Sequence, residues 1–420
     1  MRYLELKEVF NNTQTQEKIT YLLLFLMPIA GPVVRHWNSY IFVLVFLCSI
    51  YFLWVKNDKK PLLKEEKIIL SAFGLFFLSF IISANLNGWT ELQTRELGNE
   101  LMFLWIIPVY FLIREYKFSL NAFFAGVLLS IPVIFLFSLY EYYYVSTPVL
   151  IGAYSQLFLG PITALLLLFY AEAYKVFFGR KYMFLVLPII YALGLFVIVF
   201  TFSRSAYLTL IIGATAYIIL FLGNLRDKLI ISALLIIIFA SLMNVEKVNI
   251  RVMYAVNNVA NYFDEKNIGS NKINTSAGIR LEMWRASQYA VKTHPLFGIG
   301  GANHSSFIKK YIEEGKVHPG VGKHGHLHNS FVEVISSKGV IGLVILLMLF
   351  YYPVYIAWKN REYCLKCYKY VVILSVALTA MSIGESMLIN KNNAISYFLF
   401  FSTVLFSYMM RNIHPNKFNY

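Results

Sequence analysis

Along the 420 residues, runs of apolar side chains long enough to cross about 30 Å of hydrocarbon, roughly 17 to 25 residues each, recur about twelve times. They fall near 20–35, 38–55, 68–86, 100–113, 120–144, 155–176, 182–202, 206–222, 229–244, 329–357, 371–389 and 394–410. No backbone polar group goes unpaired in lipid, so each run is expected to be a helix. The fourth run is short, and the first carries Pro28 and Pro32. Between the ninth and tenth runs the pattern stops, and residues 245–328 stay polar. The pattern predicts an all-α polytopic membrane protein, one membrane domain over 1–420 with this single large helical loop inserted before the tenth span. No internal repeat or low-complexity tract is visible.

Inside the loop, Asn244 to Asn274 is Asn-rich, and Arg251 and Tyr254 point to a short helix. Ser276 is a plausible N-cap for a better-defined helix, on which Ile279, Met283, Trp284, Ala286, Tyr289 and Ala290 form an apolar face at helical spacing. That helix is expected to stop at His294-Pro295. The run Gly298-Ile299-Gly300-Gly301 reads as a tight, backbone-exposing turn. A second short helix near Ser305 to Glu313 precedes a histidine run that leads into the tenth span.

Composition excludes a soluble fold: 58% of residues are hydrophobic, 14% are charged, and mean hydropathy is +0.61. Lys and Arg gather on alternate connections, at Lys7 and Lys18, Lys56 to Lys67, Arg114 and Lys117, Lys175 to Lys181, Arg226 and Lys228, Lys359 to Lys369, and Arg411 and Lys417. The opposite short loops hold only Arg35, Arg95, Arg204 and Lys391. By the enrichment of cytoplasmic loops in these residues, both termini are cytoplasmic and the long loop faces outward. The net charge of +15 is then explained by inner loops meeting anionic lipid, with no nucleic-acid partner. Glu5, Glu8 and Glu17 before the first span are unlike the basic start of a signal peptide, so that span is expected to be retained. Cys48 sits in a helix, and Cys364 with Cys367 forms a lone CxxC without a second Cys or His pair to complete a metal site. No disulfide framework is expected.

Three clusters carry candidate chemistry. Arg204, between Ser203 and Ser205 where the seventh span meets the eighth, either snorkels to lipid phosphates or presents a fixed fork of donors to a pyrophosphate. Arg280, with Arg285 and Trp284, lies on an amphipathic loop helix; a second guanidinium aimed at the same anion neutralises a departing diphosphate, a role otherwise given to a metal. Six of the eight histidines fall between His294 and His328. An imidazole titrates near neutrality, which suits a general base. His324, His326 and His328 at HxHxH spacing also fit zinc, but no carboxylate or cysteine motif accompanies them. His328 differs from the others in adjoining Asn329 at the start of a span, which favours a base near a sugar hydroxyl. Glu333 and Glu385, on the tenth and eleventh spans, either orient a histidine or arginine or form structural pairs. Arg95 is a further outward cation, and Glu141 with Tyr142, Tyr143 and Tyr144 a further polar site at membrane depth.

The order SRSAYL (203–208), SAGIRLEMWRAS (276–287), HPLFGIGGANH (294–304) and HLHNSFVEVISSKGVIGL (326–343) resembles the O-antigen ligase and polymerase superfamily of bacterial envelope enzymes. The resemblance covers 203–343, and the flanking spans match only in number and hydropathy. It implies an inner-membrane, metal-independent glycosyltransferase without a cofactor, whose donor is a glycan on undecaprenyl pyrophosphate. It also implies that Arg204, Arg280 and His328 are the functional residues and that a single displacement inverts the sugar, with the loop in the periplasm. Trp284, His326, Asn329, Glu333 and Glu385 are expected to support that trio, and Arg95 to help bind the donor.

Within the resemblance, a ligase delivers the glycan to lipid A-core and is preferred. A polymerase delivers it to another lipid-linked repeat. A protein glycosyltransferase often carries an extra C-terminal region, whereas here about ten residues follow the twelfth span. A transporter or flippase also has many spans, but repeated halves and mid-membrane ionisable residues are its signature, and here the polar residues gather at one face.

Overall fold

The computed structural model describes residues 14–56, 60–145, 149–153, 155–244, 277–387 and 392–418, with isolated positions 249, 250, 253, 257 and 275. Among them the only regular structure is helical. In chain order the helices are α1 (Thr15–Ala30), α2 (Trp37–Val55), α3 (Lys64–Leu86), α4 (Glu91–Glu115), α5 (Ser119–Tyr140, extended by a π turn, Glu141–Val145), α6 (Gln156–Phe178), α7 (Met183–Thr201), α8 (Arg204–Phe221) and α9 (Leu225–Met243). In the loop lie α10 (Gly278–Thr293), α11 (His304–Glu313) and a 3-10 turn (Pro319–Lys323). Then follow α12 (Ser330–Lys359), α13 (Leu365–Gly384), α14 (Asn392–Ile413) and α15 (Pro415–Phe418).

Each of the twelve expected runs coincides with a helix, and ten helices among the described residues are long and apolar enough to cross a membrane. The other two are α1, which at 16 residues stops before Pro32, and α9, which carries Arg226, Asp227 and Lys228 in its first turns. The fourth element is longer than its apolar run because Thr90 starts it early. The Thr90 hydroxyl accepts from the Gln93 amide at 3.3 Å, and the Gln93 side chain accepts from the Thr90 amide at 2.8 Å. The polar first turns of α4 are tolerated because Gln93, Asn99 and Glu100 are buried against protein rather than lipid. Cys364 is the N-cap of α13, which brings Cys367 within reach; the pair is joined by a disulfide, contrary to the expectation of none. The segments holding Glu5, Glu8, Arg251, Tyr254, Ser276 and Lys391 lie outside the described residues.

Helix α6 is the axis of the bundle, buried along nearly all of its apolar length, whereas α7 is buried along little of it and faces outward. Around the axis, α1 packs on α5, α8 on α6 and α13, α12 on α3 and α13, and α14 on α4. Trp54, Leu136, Phe184 and Ile219 stand exposed on the outside, as lipid-facing side chains do.

One feature ties the loop to the bundle. Helix α12 is broken at Gly339, whose φ of 68° is left-handed. The turn after α10 docks its backbone into that break: Ile299 and Gly300 amides donate to the Ser336 and Ser337 carbonyls at 2.9 and 3.0 Å, and the Val340 amide donates to the Pro295 carbonyl at 2.8 Å. Glycine is required on both sides, since a Cβ on Gly298 would meet Ser337 at 2.4 Å and one on Gly339 would meet Leu296 at 2.2 Å. Thus the backbone groups freed by the break are satisfied by the loop. Beside the break, the buried Lys338 ammonium bonds Glu100 at 2.7 Å and lies 3.6 Å from the Phe76 ring centre.

Breaking this ion pair from one side leaves an unpaired charge, which costs about 3–5 kcal/mol. Lys338→Met and Glu100→Gln should each lower the thermal midpoint of the detergent-solubilised protein by several degrees, and the double variant should regain most of the loss. Additive losses would show that the two charges are not coupled.

Candidate functional site

The loop helix α10 starts where the Thr275 hydroxyl accepts from the Gly278 amide at 2.9 Å. Its expected apolar face is buried: Met283 and Ala286 pack with Ile308, Val317, Val321 and Leu327 in a small core of the loop's own, flanked by Ile279, Trp284 and Tyr289. The Trp284 indole donates to the Leu327 carbonyl at 2.8 Å, which fixes the residue before His328. One turn before Trp284, Arg280 reaches the end of α13. Its Nη1 donates to the Gly384 carbonyl at 3.1 Å, and its Nη2 lies 3.4 Å from Glu385 Oε2 and 3.3 Å from His328 Nδ1. Burial pulls the guanidinium down from its usual value, and Glu385 opposes the pull. Arg285 leaves the site; it pairs with Glu282 at 2.8 Å and donates to the Lys316 carbonyl at 2.9 Å.

His328 adopts a left-handed φ of 52°, uncommon for a residue with a Cβ. Its Nδ1 is 2.8 and 3.0 Å from the two oxygens of Glu385, which is fully buried. The carboxylate is nearer than the guanidinium, so Nδ1–H donates to Glu385 and the other ring nitrogen, Nε2, carries the lone pair. The His326 ring is 4.1 Å from that of His328 and the His324 ring 6.2 Å. Burial pushes the His324 imidazole below its usual range, with His328 and Arg280 adding to the effect.

Behind the imidazole, the 327–330 and 384–387 segments are stitched together. Asn329 caps α12, its Oδ1 accepting from the Phe331 and Val332 amides at 3.0 and 3.1 Å. The Ser330 hydroxyl donates to the Glu385 carbonyl at 3.1 Å, and the Met387 amide donates to the same hydroxyl oxygen at 3.0 Å. Glu333, buried one turn into α12, accepts from the Leu327 amide at 2.6 Å and from the Ser386 hydroxyl at 3.2 Å. Sequence reasoning placed Glu385 inside the eleventh span; it is instead the first residue past the end of α13, with extended backbone. It missed Gly384, Ser386 and Ser330 altogether. The only available signal was the Gly-Glu-Ser run itself, polar at the end of an apolar helix.

Arg204 opens α8, joined to α7 through a left-handed Phe202 and an extended Ser203. The Ser203 and Ser205 hydroxyls bond each other at 3.0 Å. A Cβ on Gly384 would meet Cα of Ser205 at 2.8 Å, so the first turn of α8 rests directly on the residue whose carbonyl Arg280 holds. The start of α8, α10 and the start of α12 therefore converge on the end of α13. Arg95 is not part of this convergence: it is exposed and pairs with Glu91 at 2.5 Å. Glu141 is also elsewhere, buried and accepting from the Ile151 and Gly152 amides at 3.1 Å.

One group among the described residues has the composition of a metal site. Ligand atoms of His326, His328 and Glu385 lie within 4.8 Å of one another. The third member is Glu385, rather than His324 as HxHxH spacing implied. Two histidines and a carboxylate suit zinc. However, Arg280 already places a cation 3.3 to 3.4 Å from two of the three, so the donor set does not favour an added divalent charge.

Residues 189–347 match the family model described as O-antigen ligase. The chain is also 23% identical to an uncharacterised protein of Haemophilus influenzae over 319 residues, covering 74% of this chain and 77% of that one. The matched region contains Arg204, Arg280, His328 and Glu333 and ends before Glu385.

His304, at the start of α11, offers a pH test of loop integrity. It is buried, no group among the described residues bonds either ring nitrogen, and burial pushes its imidazole down to about 4. A depressed folded value means that the unfolded loop binds the proton first. Stability is therefore full above about pH 6.5 and falls by up to about 3 kcal/mol as pH drops toward 4. Amide exchange across 277–328 should accelerate over that interval, and His304→Phe should flatten the response. An unchanged response in the variant would assign the acid sensitivity to another group.

Proposed function

We propose, from the O-antigen ligase match over residues 189–347 that supports placing this chain in the O-antigen ligase and polymerase superfamily, that it transfers a lipid-linked glycan at the outer face of the membrane. The donor in this reading is a glycan on undecaprenyl pyrophosphate, and the acceptor is a sugar hydroxyl of lipid A-core. The observation that carries it is the buried Glu385 carboxylate bonding His328 and Arg280 together, beside the first turn of α8 that bears Arg204.

With Nδ1–H held by Glu385, His328 offers Nε2 to the acceptor hydroxyl and takes its proton as the oxygen attacks the anomeric carbon. The new carbon–oxygen bond forms while the bond from the anomeric carbon to the pyrophosphate oxygen breaks, so one displacement inverts the sugar. Glu385 stabilises the imidazolium that results. Arg280 and Arg204 neutralise the charge growing on the departing pyrophosphate, the electrostatic part of catalysis. The imidazolium then returns its proton to the leaving diphosphate or to water. In this reading the two guanidiniums supply the charge stabilisation that other transferases draw from a bound cation, so the transfer is metal-independent.

His328→Ala should lower transfer to a defined acceptor by roughly 10² to 10⁴ while donor binding persists; activity near wild type would remove the base. Arg204→Lys keeps the charge and loses the fork, and should cost about 10² in turnover. Wild-type turnover in that variant would show that a point charge suffices. Purified protein should keep its activity after chelation, and a loss restored by zinc would instead favour the His326–His328–Glu385 metal reading. In cells lacking the protein, mass spectrometry of the surface glycolipid separates the acceptors: unmodified core indicates a ligase, and single repeats on core a polymerase.

A further inference from the structure

A left-handed histidine persists only where its surroundings over-determine it, since such a conformation costs about 1–3 kcal/mol. Around His328 the constraint comes from main-chain bonds on both flanks. The Leu327 carbonyl accepts from Trp284 and the Leu327 amide donates to Glu333 Oε2 at 2.6 Å. On the other side, the Asn329 amide donates to the Ser386 hydroxyl oxygen at 3.2 Å, and that hydroxyl donates its own proton to Glu333 Oε2 at 3.2 Å. One oxygen of Glu333 therefore gathers the chain before His328 directly and the chain after it through Ser386. Ser386 is also the residue that follows Glu385, and its amide faces Glu385 Oε1 at 3.4 Å. Glu333 and Ser386 are both buried, and their hydrogen bonds go to the backbone and hydroxyl around His328 rather than to the imidazole or Arg280.

We infer that Glu333 and Ser386 are positioning residues: a buried carboxylate–hydroxyl clamp that holds His328 in its left-handed turn and registers it against Glu385. The inference rests on the proposed role of His328 as base. The clamp differs from the Glu385 contact in its target. Glu385 acts on the imidazole, whereas Glu333 and Ser386 fix the backbone on which the imidazole stands. Glu333 needs an acceptor oxygen for this work. A glutamine, whose side-chain carbonyl can face the same amide, should substitute in large part, whereas an alanine cannot. Removing the acceptor also leaves the Leu327 amide buried without a partner, which loosens the turn.

The test uses the full-length protein in liposomes with a lipid-linked donor and a sugar acceptor, alongside amide exchange at residues 327–329. Wild type must transfer and His328→Ala must not; if His328→Ala transfers, the reading of His328 fails, independently of the clamp. Given that control, Glu333→Ala should lower kcat by about a hundredfold, the effect of a misplacement near 1 Å, with donor KM nearly unchanged and exchange at 327–329 accelerated. Glu333→Gln should restore most of kcat. Ser386→Ala, which keeps every charge, should fall between wild type and Glu333→Ala. The inference is overturned by wild-type kcat in Glu333→Ala, by a Glu333→Gln as impaired as the alanine variant, or by losses that appear in KM and thermal stability rather than in kcat. Should Glu333→Ala fail to fold, Glu333→Gln and Ser386→Ala decide alone: near-normal kcat in the first with slowed kcat and accelerated exchange in the second supports the clamp. Normal kcat in Ser386→Ala overturns it.

Discussion

The carboxylate of Glu385 is the constraint on which the site depends. It is fully buried at the end of α13, and burying an ion there costs several kcal/mol unless partners compensate. The partners are Arg280 and His328, both delivered by the long polar loop. Docking of the loop and compensation of that charge are therefore one event. A loop that swung away would strand a carboxylate among apolar helices, so its charge helps to hold the two loop side chains 2.8 and 3.4 Å from the carboxylate they share.

The loop is held a second time at the break in α12. There Pro295–Gly301 supplies the hydrogen-bond partners that Gly339 takes from the helix, and the Lys338–Glu100 pair lies beside the join. Between the two anchors runs the segment from Ser330 to Lys338, which carries Glu333 on its inner side. The small core around Met283, Ala286 and Leu327 fills the remaining space and fixes α10, hence Arg280. Local helix chemistry thus becomes a rigid frame: Asn329 starts α12, Trp284 holds Leu327, and the imidazole between them has little freedom left.

The helices were legible because a membrane span writes itself as an unbroken apolar run, and the loop helices because the 3.6-residue period survives in Ile279 through Ala290. The trio Arg204, Arg280 and His328 was legible as chemistry through residue type and setting. The meeting of Arg280 and His328 beside the first turn of α8 was not, because it depends on Gly384 and Glu385, more than fifty positions from His328, being set by the exact end of α13. An apolar run does not report where its helix stops; Glu385 was expected within the span and stands just beyond it. Arg95 looked equivalent to Arg204 in charge and side, yet an exposed first turn lets it pair with Glu91, whereas Arg204 lies in a turn whose two flanking serines bond each other and whose Ser205 packs against Gly384. Serine roles such as those of Ser386 and Ser330 have no periodic signature and emerge only when two distant backbones meet. The Cys364–Cys367 bridge follows from helix capping, a local geometry that composition does not reveal.

The most direct test of the central claim is the transfer rate of Glu385→Gln, which keeps the shape of the side chain and removes its charge, measured with purified, folded protein and a defined lipid-linked donor. With the carboxylate gone, the imidazole loses the partner that selects its tautomer and stabilises its protonated form, and the rate should fall by about three orders of magnitude. A rate within about threefold of wild type, in protein of unchanged thermal stability, would contradict the account, since by the arithmetic of rates such a change corresponds to well under 1 kcal/mol.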